Sequence, residues 1–162
     1  MSRKEYPITQ AVRFFRKRNI RFIPRLYPYV DHGGTRQAAT SLDVPEHQVI
    51  KTLLMETDEK NPIIILMHGD CEVSLKQLAR RLKVKRITPC DEKSAEHYTG
   101  YKVGGISPFG THTRLPVYAQ ETIMDFEKIY INAGSRGFMV EISTSDLADS
   151  LGVTTVDAAV KS

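Results

Sequence analysis

The apolar positions alternate between helical and strand spacing along the chain. Ala11, Val12, Phe14 and Phe15 fall on one helical face behind Thr9, an N-cap residue type, which predicts a helix that Asn19 ends. Ile20-Arg21-Phe22-Ile23 then predicts a strand, and Tyr27-Pro28-Tyr29 with His32-Gly33-Gly34 a turn-rich passage. A short helix follows over Thr35 to Leu42, closed by Asp43-Val44-Pro45. Val49 to Met55, apolar but for Lys51 and Thr52, and the unbroken run Ile63 to Met67 suit strands buried on both faces. Gly69-Asp70 turns the chain, Ser74 caps a helix through Lys83, and Asp91 to His97 gives another. Strands are expected near Val117 to Ala119, Lys128 to Asn132 and Phe138 to Ile142, the last two joined by the turn Ala133-Gly134-Ser135-Arg136-Gly137. Thr144 or Ser145 opens a final helix ending near Leu151-Gly152. Strands and helices interleave without strict alternation, so a mixed sheet with helices outside it is favoured over a doubly wound parallel fold.

Length and composition narrow the class. The 162 residues suit one domain (1–162), and 41% hydrophobic with 26% charged residues is a globular balance. The longest apolar run is far short of the roughly 20 residues needed to span a bilayer, and Met1 to Tyr6 carries no apolar signal core, so a cytoplasmic location is expected. Cys71 and Cys90 lack zinc-finger spacing; His68 stands three residues before Cys71 with no further ligand nearby in sequence. No metal and no organic cofactor is therefore expected. A net charge of +4 favours a polyanionic partner only mildly.

Candidate chemistry is sparse. Lys51 sits among residues that favour burial, so it either extends its ammonium into a cavity or snorkels from an edge strand to water. Strand alternation puts Lys51 and Leu53 on one face, Thr52 and Leu54 on the other. Gly104-Gly105-Ile106-Ser107-Pro108-Phe109-Gly110 either presents backbone amides to a phosphate or oxyanion, or is a plain tight turn. Lys76, Arg80 and Lys83 form one helical stripe, which is either a solvated face or a phosphate-contacting surface. No Gly-x-Ser-x-Gly elbow, His-Glu-x-x-His motif or cysteine-nucleophile signature is present.

Thr99 to Gly110, followed by Arg114-Leu115-Pro116, resembles the central signature of the YbaK/EbsC proteins, free-standing relatives of the editing domain in bacterial prolyl-tRNA synthetase. Val49-Ile50-Lys51-Thr52-Leu53-Leu54 is similar to that family's lysine-bearing strand, and Ala133 to Gly137 to its later glycine turn. The resemblance implies a compact α/β domain with a mixed, barrel-like sheet and surrounding helices. It also implies hydrolysis of the ester joining a mischarged amino acid to the terminal ribose of tRNA, with aminoacyl-tRNA as partner and prolyl-tRNA synthetase as a second. Lys51 falls on the family's key lysine, with the amides of Gly104, Gly105 and Ile106 as further donors to the reacting end. Tyr27, Thr52, Ser107, Pro108, Asn132, Gly134 and Met139 are the substrate-binding candidates, and Lys76, Arg80 and Lys83 the tRNA-backbone candidates.

The Lys51-Thr52 pair is similar to the branch clearing cysteine from tRNA(Pro), with tRNA(Cys) as a further substrate; alanine-clearing relatives carry Lys-Asn. Asn132 and Met139 depart from the serine and aspartate often found in the YbaK branch. In the cysteine reading the substrate's own thiol attacks the ester. Two alternatives stay open: a deacylase for alanine or another small amino acid, and a non-catalytic module binding aminoacyl-tRNA or a synthetase.

Overall fold

The structure is a computed structural model describing residues 5–161; residues 1–4, part of the stretch read above for a signal core, lie outside the described residues, as does Ser162. Thr9 opens helix α1 (Gln10–Lys17) as its residue type predicts, its Oγ1 accepting from the Val12 amide while it donates to the Ala133 carbonyl at 2.6 Å. The first strand, β1, spans Ile23–Leu26 rather than residues 20–23. Asn19 takes a left-handed φ of 55° and the Ile20 amide returns to the Phe15 carbonyl, so this apolar stretch first closes the helix end.

Helix α2 (Gly34–Leu42) and a 3-10 turn (Glu46–Gln48) lead into β2 (Val49–Thr57) and β3 (Pro62–His68). β4 (Cys71–Val73) precedes α3 (Leu75–Leu82), where Ser74 Oγ accepts from the Gln77 amide and Lys83 ends the helix in a left-handed conformation. β5 (Ile87–Pro89), α4 (Glu92–Thr99, capped by Asp91), β6 (Val117–Gln120), β7 (Lys128–Ser135) and β8 (Phe138–Ser143) follow. Ser143, one residue before the expected caps, opens α5 (Thr144–Leu151); β9 (Thr154–Val156) and β10 (Ala159–Lys161) end the described chain. β4, β5, β9 and β10 were not expected. Each is three residues long, too short to display an alternating pattern.

The main sheet runs β1-β8-β7-β2-β3-β6-β9, with β5 also on β2, and β10 pairs β4 in a second small sheet. β2–β7, β3–β6 and β6–β9 are parallel and the other pairs antiparallel, giving the mixed sheet expected of a single α/β domain. Three apolar clusters hold it. The largest packs Val12 and Phe15 of α1 over Ile50, Leu66, Ile131 and Val140, with Phe109 inside. The second packs Leu78 and Ala79 of α3 on Met55, Ile63 and Ile65, and the third packs Ala38, Ala39 and Leu42 of α2 on Val49, Tyr130 and Met139. Among the described residues no helix is long and apolar enough to cross a membrane.

Candidate active site

The site lies where the main sheet splits. β7 pairs β2 only at Val49 and Ile50, and β5 takes up the same strand from Met55, so Lys51 to Leu53 border a gap. A bulge between Asn132 and Ser135 carries β7 away from β2 at the same level. The gap opens into a cleft of about 660 Å³. Lys51, Thr52 and Leu53 all reach it, although strand alternation assigns them to opposite faces, because this stretch, paired with β3 on one edge, has no partner on the edge that borders the opening.

Lys51 takes an intermediate course between burial and exposure. Its side chain is 20% exposed, and its Nζ donates to the Cys71 carbonyl at 2.7 Å and lies 3.6 Å from Glu72 Oε1. The ammonium is thus held at the edge of the cleft by β4, a strand the residue pattern did not reveal. Thr52 Oγ1 and Asn132 Oδ1 are buried without a hydrogen-bond partner. Both residues line this cleft. An unpaired buried polar atom costs about 1–3 kcal/mol, a cost that a polar ligand reaching both oxygens from the cleft would relieve. Met139, 2% exposed and opposite Asn132 in the β7–β8 ladder, gives the cleft an apolar wall backed by α2. Tyr27 also lines the cleft; burial first and then the neighbouring Tyr29 raise its pKa, keeping it a neutral phenol at physiological pH.

The glycine loop divides into a site half and a core half. Gly104 lines the cleft at a φ of 101°, and a Cβ there would lie 2.5 Å from Tyr29 Oη. Gly105 packs on the later glycine turn: its Cβ would meet Ser135 C at 2.7 Å and Arg136 N at 2.8 Å. Arg136 Nε donates to the Val103 carbonyl at 2.9 Å, closing the junction. Loop and turn, far apart in sequence, therefore form one wall. The Gly105 amide is already used, donating to Lys102 O at 3.0 Å. Ile106 and Ser107 are buried at 8% and 0% exposure, Pro108 is buried too, and none of the three lines the cleft. Ser107 Oγ accepts from the Phe109 amide, and Tyr101 Oη donates to the Phe109 carbonyl at 2.5 Å. This half of the motif seats Phe109 against Phe14 and Phe15 of α1. Gly134 lies under Tyr101 and Thr9, again outside the cleft lining.

The structure thus brings together Lys51, Gly104, Tyr27, Thr52, Asn132 and Met139, and sets Gly105, Ile106, Ser107, Pro108 and Gly134 behind them as support. Tyr29 and Arg136 were not among the candidates. Arg136 stands inside a quoted motif, but its cation–π approach to Tyr29, 5.4 Å from the ring centroid, joins residues too far apart for any spacing rule. A larger groove of about 890 Å³ beside β1 is mostly apolar and shares no lining residue with the cleft. Lys76 and Arg80 are exposed on α3, whereas Lys83, also exposed, lies past its end in a left-handed turn and so leaves the expected helical stripe. α3 follows directly on the strand whose Cys71 carbonyl holds Lys51.

Residues 33–150 match the family model described as "Aminoacyl-tRNA editing domain". The chain is 31% identical over 113 residues to EbsC of Enterococcus faecalis, a proposed Cys-tRNA(Pro)/Cys-tRNA(Cys) deacylase, covering 70% of this chain and 69% of that one. It is 29% identical over 106 residues to the proline–tRNA ligase of Limosilactobacillus reuteri, a match spanning 63% of this chain but 18% of the ligase. A crystal structure of a proposed trans-editing enzyme for prolyl tRNA synthetase superposes with a TM-score of 0.83 at 17% identity, over 97% of this chain and 99% of the other, a likeness of fold. The motif-bearing segments fall within the matched span, and the chain belongs to the aminoacyl-tRNA editing family.

Proposed function

We propose that the cleft clears cysteine from mischarged tRNA(Pro), with Cys-tRNA(Cys) as a second substrate, acting in trans on the product of prolyl-tRNA synthetase. The observation that carries this reading is the convergence of the Lys51 ammonium with the unpartnered Thr52 and Asn132 oxygens on one cleft. An aminoacyl ester brings complementary groups: a cationic α-amino group that donates hydrogen bonds, an ester carbonyl that accepts them, and an anionic 5′-phosphate. Asn132 Oδ1 accepts from the α-ammonium, and Lys51 supplies positive charge to the ester oxygen or terminal phosphate. The Gly104 edge crowds the reacting end. Among the described residues the cleft lining includes neither cysteine nor serine, which supports a reaction in which the substrate thiol attacks its own ester carbonyl. The bond to the ribose oxygen then breaks, that oxygen takes the thiol's proton, and water opens the resulting thiolactone to free cysteine. The protein's part is then positioning and charge stabilisation, effects worth several kcal/mol when geometry is held.

The exposed residues Lys76, Arg80 and Lys83 are assigned to the tRNA backbone, where contacts are phosphate-directed and salt-dependent. In the double variant Lys76→Glu/Arg80→Glu, tRNA affinity should fall about tenfold or more at low salt, and its log–log salt slope should flatten by about two. An unchanged slope assigns these residues to solvated surface. The substrate reading is tested by incubating the protein with tRNAs charged with cysteine, alanine or proline and following ester loss. Selective release of cysteine is expected. Faster release of alanine transfers the site to small amino acids with water as nucleophile, and binding without release of any ester makes the chain a recognition module.

A further inference from the structure

A second cluster of chemically active side chains lies outside the cleft. The Glu46–Gln48 turn and the Gly69-Asp70 turn, more than twenty residues apart, are pressed together at one point. A Cβ on Gly69 would lie 2.8 Å from the Glu46 carbonyl and from Thr35, so only glycine admits this approach. Thr35 Oγ1 bridges the two turns, bonding Glu46 Oε2 at 2.9 Å and Gly69 O at 3.1 Å, and the Gly69 amide donates to Val49 O at 2.7 Å. At the junction His47 Nδ1 stands 2.8 Å from Asp70 Oδ1, and Cys71 Sγ lies 3.6 Å from the same oxygen. One donor atom from each of His47, Asp70 and Cys71 falls within 4.8 Å of the others.

The geometry points to a divalent transition-metal site of the zinc class, with His47 Nδ1, an Asp70 carboxylate oxygen and the Cys71 sulfur as three ligands and solvent as the fourth. Three features support it. First, the ligand set is mixed nitrogen, oxygen and sulfur, which suits zinc; magnesium and calcium call for mostly oxygen donors, and a single carboxylate supplies few. Second, tetrahedral bonds of about 2.0–2.3 Å put neighbouring ligand atoms roughly 3.3–3.8 Å apart. Cys71 Sγ and Asp70 Oδ1 stand at 3.6 Å, and His47 Nδ1, hydrogen-bonded to that oxygen at 2.8 Å, needs to part from it by only about half an ångström to admit an ion. Third, the His47 ring is held in place. It stacks on His68 at 3.7 Å with 7° between the planes, and His68, 1% exposed, is itself fixed by the His47 carbonyl at 2.6 Å and Thr122 Oγ1 at 2.7 Å. Such outer support is what orients metal-binding imidazoles. Sequence spacing placed His68 three residues before Cys71 with no further ligand nearby, and no metal was expected; the fold commits both nitrogens of His68 elsewhere and brings His47 to Cys71 instead.

The site also adjoins the cleft. Cys71 offers its sulfur to the cluster and its carbonyl to Lys51 Nζ. An ion there pins the start of β4, the element that holds the catalytic lysine candidate. Binding itself does not depend on the deacylase assignment, so the two fail separately.

The test uses untagged full-length protein stripped with a chelator, then dialysed against Zn²⁺, with Co²⁺ as the spectroscopic probe. Uptake of about one Zn²⁺ per chain is expected, and Co²⁺ should give a thiolate-to-metal charge-transfer band. His47→Ala, a half-exposed position whose loss spares the core, should weaken binding at least tenfold, and Cys71→Ser should abolish the charge-transfer band. Cys90→Ser should leave both unchanged. No uptake, uptake equal in wild type and His47→Ala, or a charge-transfer band that survives Cys71→Ser overturns the proposal.

Discussion

Lys51→Ala is expected to lower the rate of aminoacyl-ester cleavage by about 10²–10³-fold while leaving the melting temperature within a few degrees of wild type. The rate effect is that of deleting one well-placed charge donor from a partly water-excluded site. Lys51 reaches the cleft on a strand otherwise committed to the core, with Ile50 and Leu54 in the main cluster and its own ammonium fixed by the Cys71 carbonyl. Stability should change little. Glu72, its ionic neighbour, is 65% exposed and regains water when the lysine is removed, so the lost pair is worth little. Lys51→Arg is not expected to rescue, since a planar fork cannot occupy the position of a compact ammonium. Single-turnover deacylation paired with thermal melting checks both halves. A folded Lys51→Ala variant with near-normal turnover would remove the lysine from the mechanism.

The second large effect falls on Gly105. A methyl group there meets the Ser135 and Arg136 backbone at 2.7 and 2.8 Å, atoms that cannot rotate aside, so the loop and turn must separate. Overpacking of this kind costs about 1–3 kcal/mol. The larger consequence is geometric: Gly104 sits one residue away on the cleft wall, and displacing a positioning element by about 1 Å can cost roughly 100-fold in rate. Gly105→Ala should therefore lower turnover by about that factor. Gly152→Ala is the control. It forces alanine into a left-handed φ of 62° at the end of α5, with nothing within 4 Å, and should lose stability yet keep turnover. Equal losses of activity per degree of melting in the two variants would reduce the Gly105 effect to plain destabilisation.

Local signals carried much of the fold. Thr9 and Ser74 cap the helices their residue types announce, and Lys51 lies on the strand its apolar neighbours imply. What sequence did not carry was decided by pairing between distant segments. β1 shifts toward Leu26 because its register is set against β8, Ile23 opposite Glu141 and Leu26 opposite Phe138. β4 is invisible as a pattern, yet it positions the Lys51 ammonium. The glycine motif was legible as a unit, but its division was not. Ser107 and Pro108 read like ligand contacts beside two glycines, whereas hydrogen bonding of Ser107 to the Phe109 amide turns that half into the core. Arg136 and Tyr29 entered the site only through a contact across the fold. The His47, Asp70 and Cys71 cluster escaped for the same reason, with ligand spacing set by two touching turns rather than by one motif.

The central claim is that one cleft, built around Lys51 and the unpartnered Thr52 and Asn132 oxygens, removes cysteine from tRNA. Its most direct test is the initial rate of ester loss from Cys-tRNA(Pro), Ala-tRNA(Pro) and Pro-tRNA(Pro) with equal enzyme, wild type beside Lys51→Ala. The account predicts rapid loss of cysteine alone, slowed about 10²–10³-fold in the variant; comparable rates on all three esters, or cysteine release at a near-wild-type rate in Lys51→Ala, would contradict it.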